Sequence, residues 1–352
     1  MSIYAKDHSD PGSYLESVGQ RILEEVMLRL PQSRTRPYLD PLIRDYPERG
    51  GKRFRPALVL LCCELLGGNP EDALISATAL ELFHSFALIH DDIEDASEMR
   101  RGAKTLHRIH GIPLAINAGD SLHGIVHQVL LENHPKLGAQ KALQVHLHLN
   151  RVMQQTFEGQ ALDIGWVQEG VFPDRGQFHE MIVMKTGWYS GRGPCQCGAM
   201  IAGVDEPMLE SLGNFGESLG IGFQIRDDIL NLTESSESSA PDANEGGYGK
   251  ERGGDFAEGK RTLITIEMLE RLMPEEQERL RKILLKPRPE VTGEDILWSL
   301  EKSEQSGALD AARRETQNHA SRAATELSEM PSGAPKQMLE TLLGFLAEQR
   351  RV

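Results

Sequence analysis

The chain is short of aromatic residues, of cysteine and of positive charge. Phe, Trp and Tyr make up 5% of its 352 residues, too few for a pocket walled mainly by aromatic rings. Its 38 Lys and Arg face 53 Asp and Glu, a formal net charge of −15. A surface that acidic opposes nucleic acid and anionic membranes, so neither is an expected partner. It also repels a diphosphate, unless basic residues or metals are focused at one place. The four cysteines, Cys62, Cys63, Cys195 and Cys197, lack paired zinc-ligand spacing and suggest a reducing compartment. They read as packing residues. The first thirty residues hold no signal-peptide pattern, and no apolar run is expected to span or stably enter a membrane. The expectation is a soluble cytoplasmic protein.

Sustained strand alternation is missing as well, and so is any solenoid repeat. Helical periodicity is present almost throughout. Residues 1–13 are polar and read as a flexible N-terminus. Residues 14–30 repeat Tyr14, Leu15, Val18, Ile22, Val26 and Leu30 on one face, and Pro31 stops them. Further helices are expected over 36–46, 57–66, 71–95, 117–131, 139–166 with a break near Gly165, 176–190, 196–203, 207–232, 262–285, 293–306, 307–328 and 335–350. The stretch 234–249, rich in Ser, Glu, Gly, Asn and Pro, reads as a mobile loop. The expected architecture is all-α: one helical bundle over 14–352 around a central cavity.

Two acidic motifs interrupt this pattern. Leu88-Ile89-His90-Asp91-Asp92-Ile93-Glu94-Asp95 ends an apolar run in four acids within five residues. Asp91 and Asp95 stand one turn apart on one helix face, where like charges repel. A magnesium ion shared with a phosphate would offset that repulsion, because Mg²⁺ prefers carboxylate and phosphate oxygens and keeps several waters. The second motif is Asp227-Asp228-Ile229-Leu230-Asn231. An amide is the weaker ligand, so Asp227 is its main metal candidate, with Asp228 left to a supporting or Lys-pairing role. Two such clusters facing across a bundle can hold ions that bind a diphosphate and draw off its charge. Basic groups that suit diphosphate oxygens are Lys52 and Arg55 beside Gly50-Gly51, and Arg100-Arg101 after the first motif. Arg53 reads rather as a neutraliser of a nearby acid. Lys185-Thr186, Gln224, Lys250 and Lys260 are uninformative singly. Gly254 to Lys260 fails as a nucleotide loop because Arg261 stands where Ser or Thr should. His123, His127, His146 and His148 read as surface or core residues. His84 differs, lying two turns before Asp91 on the same face.

Together, Gly50-Gly51-Lys52-Arg53-Phe54-Arg55-Pro56, Asp91-Asp92-x-x-Asp95 with Arg100-Arg101-Gly102, Lys185-Thr186, Gln224-x-x-Asp227-Asp228 and Gly259-Lys260 resemble the trans-isoprenyl diphosphate (polyprenyl) synthases, short-chain members in particular. The order and intervals agree from about residue 20 to the C-terminus. The resemblance implies the helical isoprenoid-synthase fold, and an allylic diphosphate that ionises and is attacked by isopentenyl diphosphate, extending the chain by one five-carbon unit. It implies Mg²⁺ on Asp91, Asp95 and Asp227, about three ions per site. It places Arg100, Lys185 and Lys250 on the allylic diphosphate, and Lys52, Arg55, His84 and Arg101 on isopentenyl diphosphate. Thr186, Gln224 and the Lys185 carbonyl region would line the cation; Lys260 belongs to the same substrate set. The departing diphosphate takes the proton, and the family usually forms homodimers. Asn231, in place of the last Asp of the second motif, is a departure that related short-chain synthases share; the length of 234–249 is another.

Product length should depend on residues one to three turns before Asp91. Phe86 lies five residues back, roughly 7.5 Å along the helix, Ala87 four back, and Phe83 one turn deeper. One aromatic beside one small residue half blocks the floor, so the expected main product is C20 geranylgeranyl diphosphate, with C15 farnesyl diphosphate next. A class I terpene cyclase would share the fold and first motif, but its second metal motif, Asn-Asp-x-x-Ser-x-x-x-Glu, is not found, and it has no use for Lys52 and Arg55. A non-catalytic partner subunit tends to lose acids that this chain keeps.

Overall fold

The computed structural model describes residues 11–31, 35–233 and 252–347. Its helices are α1 (Pro11–Arg29), α2 (Asp40–Glu48), α3 (Phe54–Leu65), α4 (Pro70–Glu94), α5 (Leu106–His110), α6 (Ile112–Leu131), α7 (His134–Leu137), α8 (Ala139–Gln168) and α9 (Arg175–Ile182). A π-helix (Val183–Arg192) then leads into α10 (Gly193–Ala202) and α11 (Glu206–Thr233). After them come α12 (Gly254–Ala257), α13 (Leu263–Arg271), α14 (Pro274–Leu284), α15 (Gly293–Gln305), α16 (Ala308–Ser328) and α17 (Ala334–Ala347). Among the described residues the only strands are β1 (Met99–Arg100) and β2 (Ala103–Lys104), an antiparallel pair inside the basic loop.

Several boundaries differ from the sequence reading, mostly at proline and glycine. Helix α1 starts at Pro11, so 11–13 are not loose; proline suits a first turn, where an amide would be unpaired anyway. Helices α2 and α6 likewise begin beside Pro41 and Pro113 rather than at 36 and 117. Helix α8 runs unbroken through Gly165, because the next residue, Trp166, is anchored in the core. The expected 262–285 helix is two helices, divided before Pro274. The flexible N-terminus expected for 1–10, the loop 234–249 and Lys250 lie outside the described residues.

The core forms two clusters. One gathers α1–α6, α8, α10, the start of α11, the end of α16 and α17, and includes all four cysteines, free and buried. The other gathers α9, the end of α11, α12–α15 and the start of α16. Helix α11 passes from one to the other: Leu212, Phe215 and Leu219 belong to the first, Ile221, Ile225 and Ile229 to the second. Helix α4 is apolar and long enough to cross a membrane by length and composition, contrary to the sequence reading, but 78% of its most apolar window is packed inside the fold. Helix α11 also meets the π-helix very closely. A Cβ on Gly191 would stand 1.7 Å from the Gly216 carbonyl oxygen, so this seam admits only glycine. Two features favour a π turn here: a run weakened by Gly187, Gly191 and Gly193, and Pro194, which has no amide to donate back to residue 190.

Candidate active site

The end of α4 and the hairpin build the first group. Asp92 is fully buried and accepts from Tyr46 Oη at 2.5 Å and from Arg100 Nε at 2.9 Å. The Arg100 guanidinium also reaches Asp91 Oδ2 at 3.2 Å, so one arginine pins both acids. One turn on, Lys260 Nζ lies 2.8 Å from Asp95 and 3.2 Å from Glu258. Burial alone would lower the Lys260 pKa; Asp95, Glu258, Asp255 and Asp91 outweigh it and hold the ammonium well above its usual range. Lys185, early in the π-helix, pairs with Asp163 of α8 at 2.5 Å.

A second group lines a cavity of about 210 Å³ between α3, α4, the π-helix and α11. Lys52, Arg55, His84 and Arg101 line it together with Thr186, Gln224 and Asp227. Gly50 and Gly51 have φ of +80° and +132°. The close approach they permit is that of a side chain, Arg101, whose guanidinium donates to the Gly50 carbonyl and would lie 2.6 Å from a Cβ on Gly51. Arg53, also at the cavity wall, is taken up in a buried ion pair with Glu81, which lines the cavity too, and donates to the Pro47 carbonyl at 2.6 Å. Gln224 donates to Asp228 at 2.9 Å. Asp227 is exposed at the cavity, yet the protein crowded around it pushes its carboxyl up to about 6, against the pull of Lys52, Arg226 and Arg55.

Asn231 has a partner within the fold. Its side chain is buried and accepts the Asp255 amide at 3.2 Å, clasping α12 to the end of α11. The amide at that position therefore has a structural use. The sequence reading missed Tyr46, Asp163 and Tyr189, each joined to the site only through distant partners. Below the acids, Phe83 and Phe86 pack with His123 of α6 and Phe157 of α8; Phe86 lies 5.0 Å from His123 and 5.9 Å from Phe157. Ala87 is half-buried beside them. A larger cleft of about 450 Å³ beside α9, α13 and α16 carries Arg175, Arg271 and Arg314, but the first two are already neutralised by the buried Glu267.

Among the described residues no three His, Cys, Asp or Glu side chains close on one point as a ready metal cage. The donor set still fits a divalent ion that takes few protein oxygens and completes its shell with water and phosphate. The acids Asp91, Asp95 and Asp227 supply such oxygens, and cations bound to Asp91 and Asp95 balance their charge meanwhile.

A helical bundle with clustered carboxylates beside a basic cavity defines a prenyltransferase of the isoprenoid-synthase type. The polyprenyl synthetase family model matches residues 36–295, and the chain belongs to that family as a short-chain trans-isoprenyl diphosphate synthase. It is 34% identical over 300 residues to a short chain isoprenyl diphosphate synthase of Methanothermobacter thermautotrophicus, covering 85% of this chain and 87% of the relative. The fold superposes on a geranylgeranyl pyrophosphate synthetase of Pyrococcus horikoshii with a TM-score of 0.85 at 30% identity, over 96% of this chain and 98% of that one. A polyprenyl synthase of Caulobacter crescentus, solved with calcium and isoprenyl diphosphate, gives 0.84 at 28% identity over 98% of both chains.

Proposed function

We propose that this enzyme joins isopentenyl diphosphate to an allylic diphosphate (dimethylallyl, geranyl or farnesyl) and releases mainly C20 geranylgeranyl diphosphate. The observation that carries the reading is the division of the site. Lys52, Arg55, His84 and Arg101 share one cavity with Thr186, Gln224 and Asp227, while Asp91, Asp95, Arg100, Lys185 and Lys260 cluster around the acids at the end of α4. The first group suits a diphosphate that stays attached throughout, isopentenyl diphosphate. The second suits one that must leave. Mg²⁺, about three ions by family likeness, would neutralise that leaving group. Arg100, Lys185 and Lys250 hold the departing diphosphate in this reading, and Lys260 keeps Asp95 oriented. The Thr186 hydroxyl, the Gln224 carbonyl and the Lys185 carbonyl region present negative dipole ends to the allylic cation, the electrostatic stabilisation expected to dominate such a reaction.

Chain growth runs along α4 towards Ala87, Phe86 and Phe83. One small residue beside two rings supports C20. The depth of the ring cluster, which adds His123 and Phe157, favours C15 as the second reading. A homodimer is supported by apolar side chains left outside on α6 and α8, among them Ile112 at 51%, Ile116 at 40%, Leu143 at 60% and Leu147 at 59% exposure. A cytoplasmic location is supported by the free cysteines. The test is to incubate the enzyme with dimethylallyl and isopentenyl diphosphates and Mg²⁺ and to identify the product alcohols. A product of C30 or longer sinks the length assignment. Turnover that survives Asp91→Ala and Asp227→Ala in folded protein sinks the assignment of the acids.

A further inference from the structure

Tyr189 sits midway along the π-helix, almost fully buried, and touches three groups with different tasks. Its hydroxyl lies 2.5 Å from His84 Nδ1. Its ring lies 4.0 Å beneath the Arg55 guanidinium, within cation–π range. Its edge packs on Phe83 at 5.4 Å and 86°. The neighbouring Ser190 Oγ accepts from Arg55 Nη2 at 2.8 Å, so Arg55 is held from two directions by consecutive residues. No local periodicity produces this. The wide π turn lets Lys185 and Thr186 face the site while Tyr189 and Ser190 reach α3 and α4.

We propose that Tyr189 is a positioning residue for isopentenyl diphosphate: its hydroxyl holds His84 in the tautomer that offers Nε2–H to the diphosphate, and its ring seats Arg55. The proposal rests on the reading that Arg55 and His84 hold that substrate. A neutral imidazole has one donor and one acceptor nitrogen. If Nδ1 donated to the phenol oxygen, Nε2 would meet the diphosphate as a lone pair and repel it. With the phenol donating to Nδ1, the ring presents N–H to the cavity it lines. Burial, reinforced by Arg55, Arg101, Arg53 and Arg100, holds the His84 pKa well below its ordinary value, so the ring is neutral. Burial also raises the Tyr189 pKa, so the phenol keeps its proton and can donate. A neutral histidine among arginines can turn either face to solvent; the tyrosine removes that choice before substrate arrives.

Tyr189→Phe keeps the ring under Arg55 and against Phe83 and removes only the hydroxyl. It should raise KM for isopentenyl diphosphate about fivefold to tenfold, the worth of one hydrogen bond. The kcat, the KM for the allylic substrate, the product length and Tm should stay near wild type. His84→Ala removes the imidazole that the hydroxyl addresses; on that background, adding Tyr189→Phe should change KM no further, because the hydroxyl acts through that ring. Tyr189→Leu, which removes the ring too, should cost more than Tyr189→Phe, because Arg55 loses its seat. Arg55→Ala and His84→Ala separate the two levels of the argument. If they leave KM for isopentenyl diphosphate unchanged, the assignment of that cavity is wrong. If they raise it while Tyr189→Phe matches wild type, or while the Tyr189→Phe and His84→Ala effects simply add, the role of Tyr189 is overturned. A Tyr189→Phe variant that loses Tm, kcat and affinity for both substrates alike also overturns it.

Discussion

Phe86→Ala tests the product floor most directly. Phe86 is 7% exposed, with the rings of His90 at 4.7 Å, His123 at 5.0 Å, Phe83 at 5.5 Å and Phe157 at 5.9 Å around it. Removing it from the empty enzyme leaves a void, at a cost of about 3–5 kcal/mol in stability. An isoprenoid tail can occupy that void. One further five-carbon unit buries five carbons, worth about 4 kcal/mol at roughly 0.8 kcal/mol each. The two terms are of equal size, so the void that weakens the free enzyme favours the longer product once it grows. The gain should stop after one unit. Phe83, fully buried and roughly 4.5 Å deeper along α4, still closes the end. The expected result is a shift of the main product from C20 to C25, with a lower Tm in the absence of substrate. Chromatography of the product alcohols and a thermal melt measure both. An unchanged product with a lowered Tm would show that Phe86 is only core. A product of C30 or longer from this single variant would show that Phe83 is not the next barrier.

Three further outcomes follow from the geometry. Glu81→Gln should lower stability by about 3–5 kcal/mol in denaturant titration, since it leaves the Arg53 charge buried without its partner; a loss under 1 kcal/mol would show that water reaches the pair. Gly51→Ala should raise KM for isopentenyl diphosphate about tenfold or more, because the new Cβ overlaps Arg101 at a φ of +132°; a wild-type KM would remove Arg101 from that subsite. His319, 3% exposed on α16, has its pKa pushed by burial from 6.5 down to about 4. Because the folded pKa lies below the unfolded one, its contribution is full above about pH 6.5 and is lost as pH falls towards 4, on the order of 3 kcal/mol. His319→Gln should flatten stability over that window, and an unchanged profile would assign the acid loss to other groups.

Much of the protein is legible in the order of its residues. Helices announce themselves through a local period, and proline and glycine mark most of their ends. Asp91 and Asp95 are recognisable because an i, i+4 carboxylate pair after an apolar run is locally unfavourable and requires a compensating charge. The residues around Gly50-Gly51, Lys185-Thr186 and Gln224 to Asp228 are recognisable by their order. The errors are equally physical. A break at Gly165 is a fair expectation from propensity, and the burial of Trp166 overrides it. The bond from Asn231 to the Asp255 amide is invisible in the sequence for a similar reason, because it depends on where the chain returns 24 residues later.

What the sequence determines by itself is the set of helices and the chemical inventory: acids to share with a metal, bases for diphosphates, and an apolar run ahead of Asp91. Only the tertiary structure decides who is paired with whom. Arg53 goes to Glu81 and Arg55 to Ser190 and Tyr189, although the two arginines are two residues apart. Lys185 goes to Asp163 and Lys260 to Asp95, across 22 and 165 residues. The π-helix and the ring cluster beneath Asp91 belong to the same level. Each depends on close packing between segments remote in sequence: glycine against glycine at Gly191 and Gly216, and rings from α4, α6 and α8 meeting below the acids. Periodicity is a property of neighbours on the chain, whereas charge pairing and cavity depth are properties of neighbours in space.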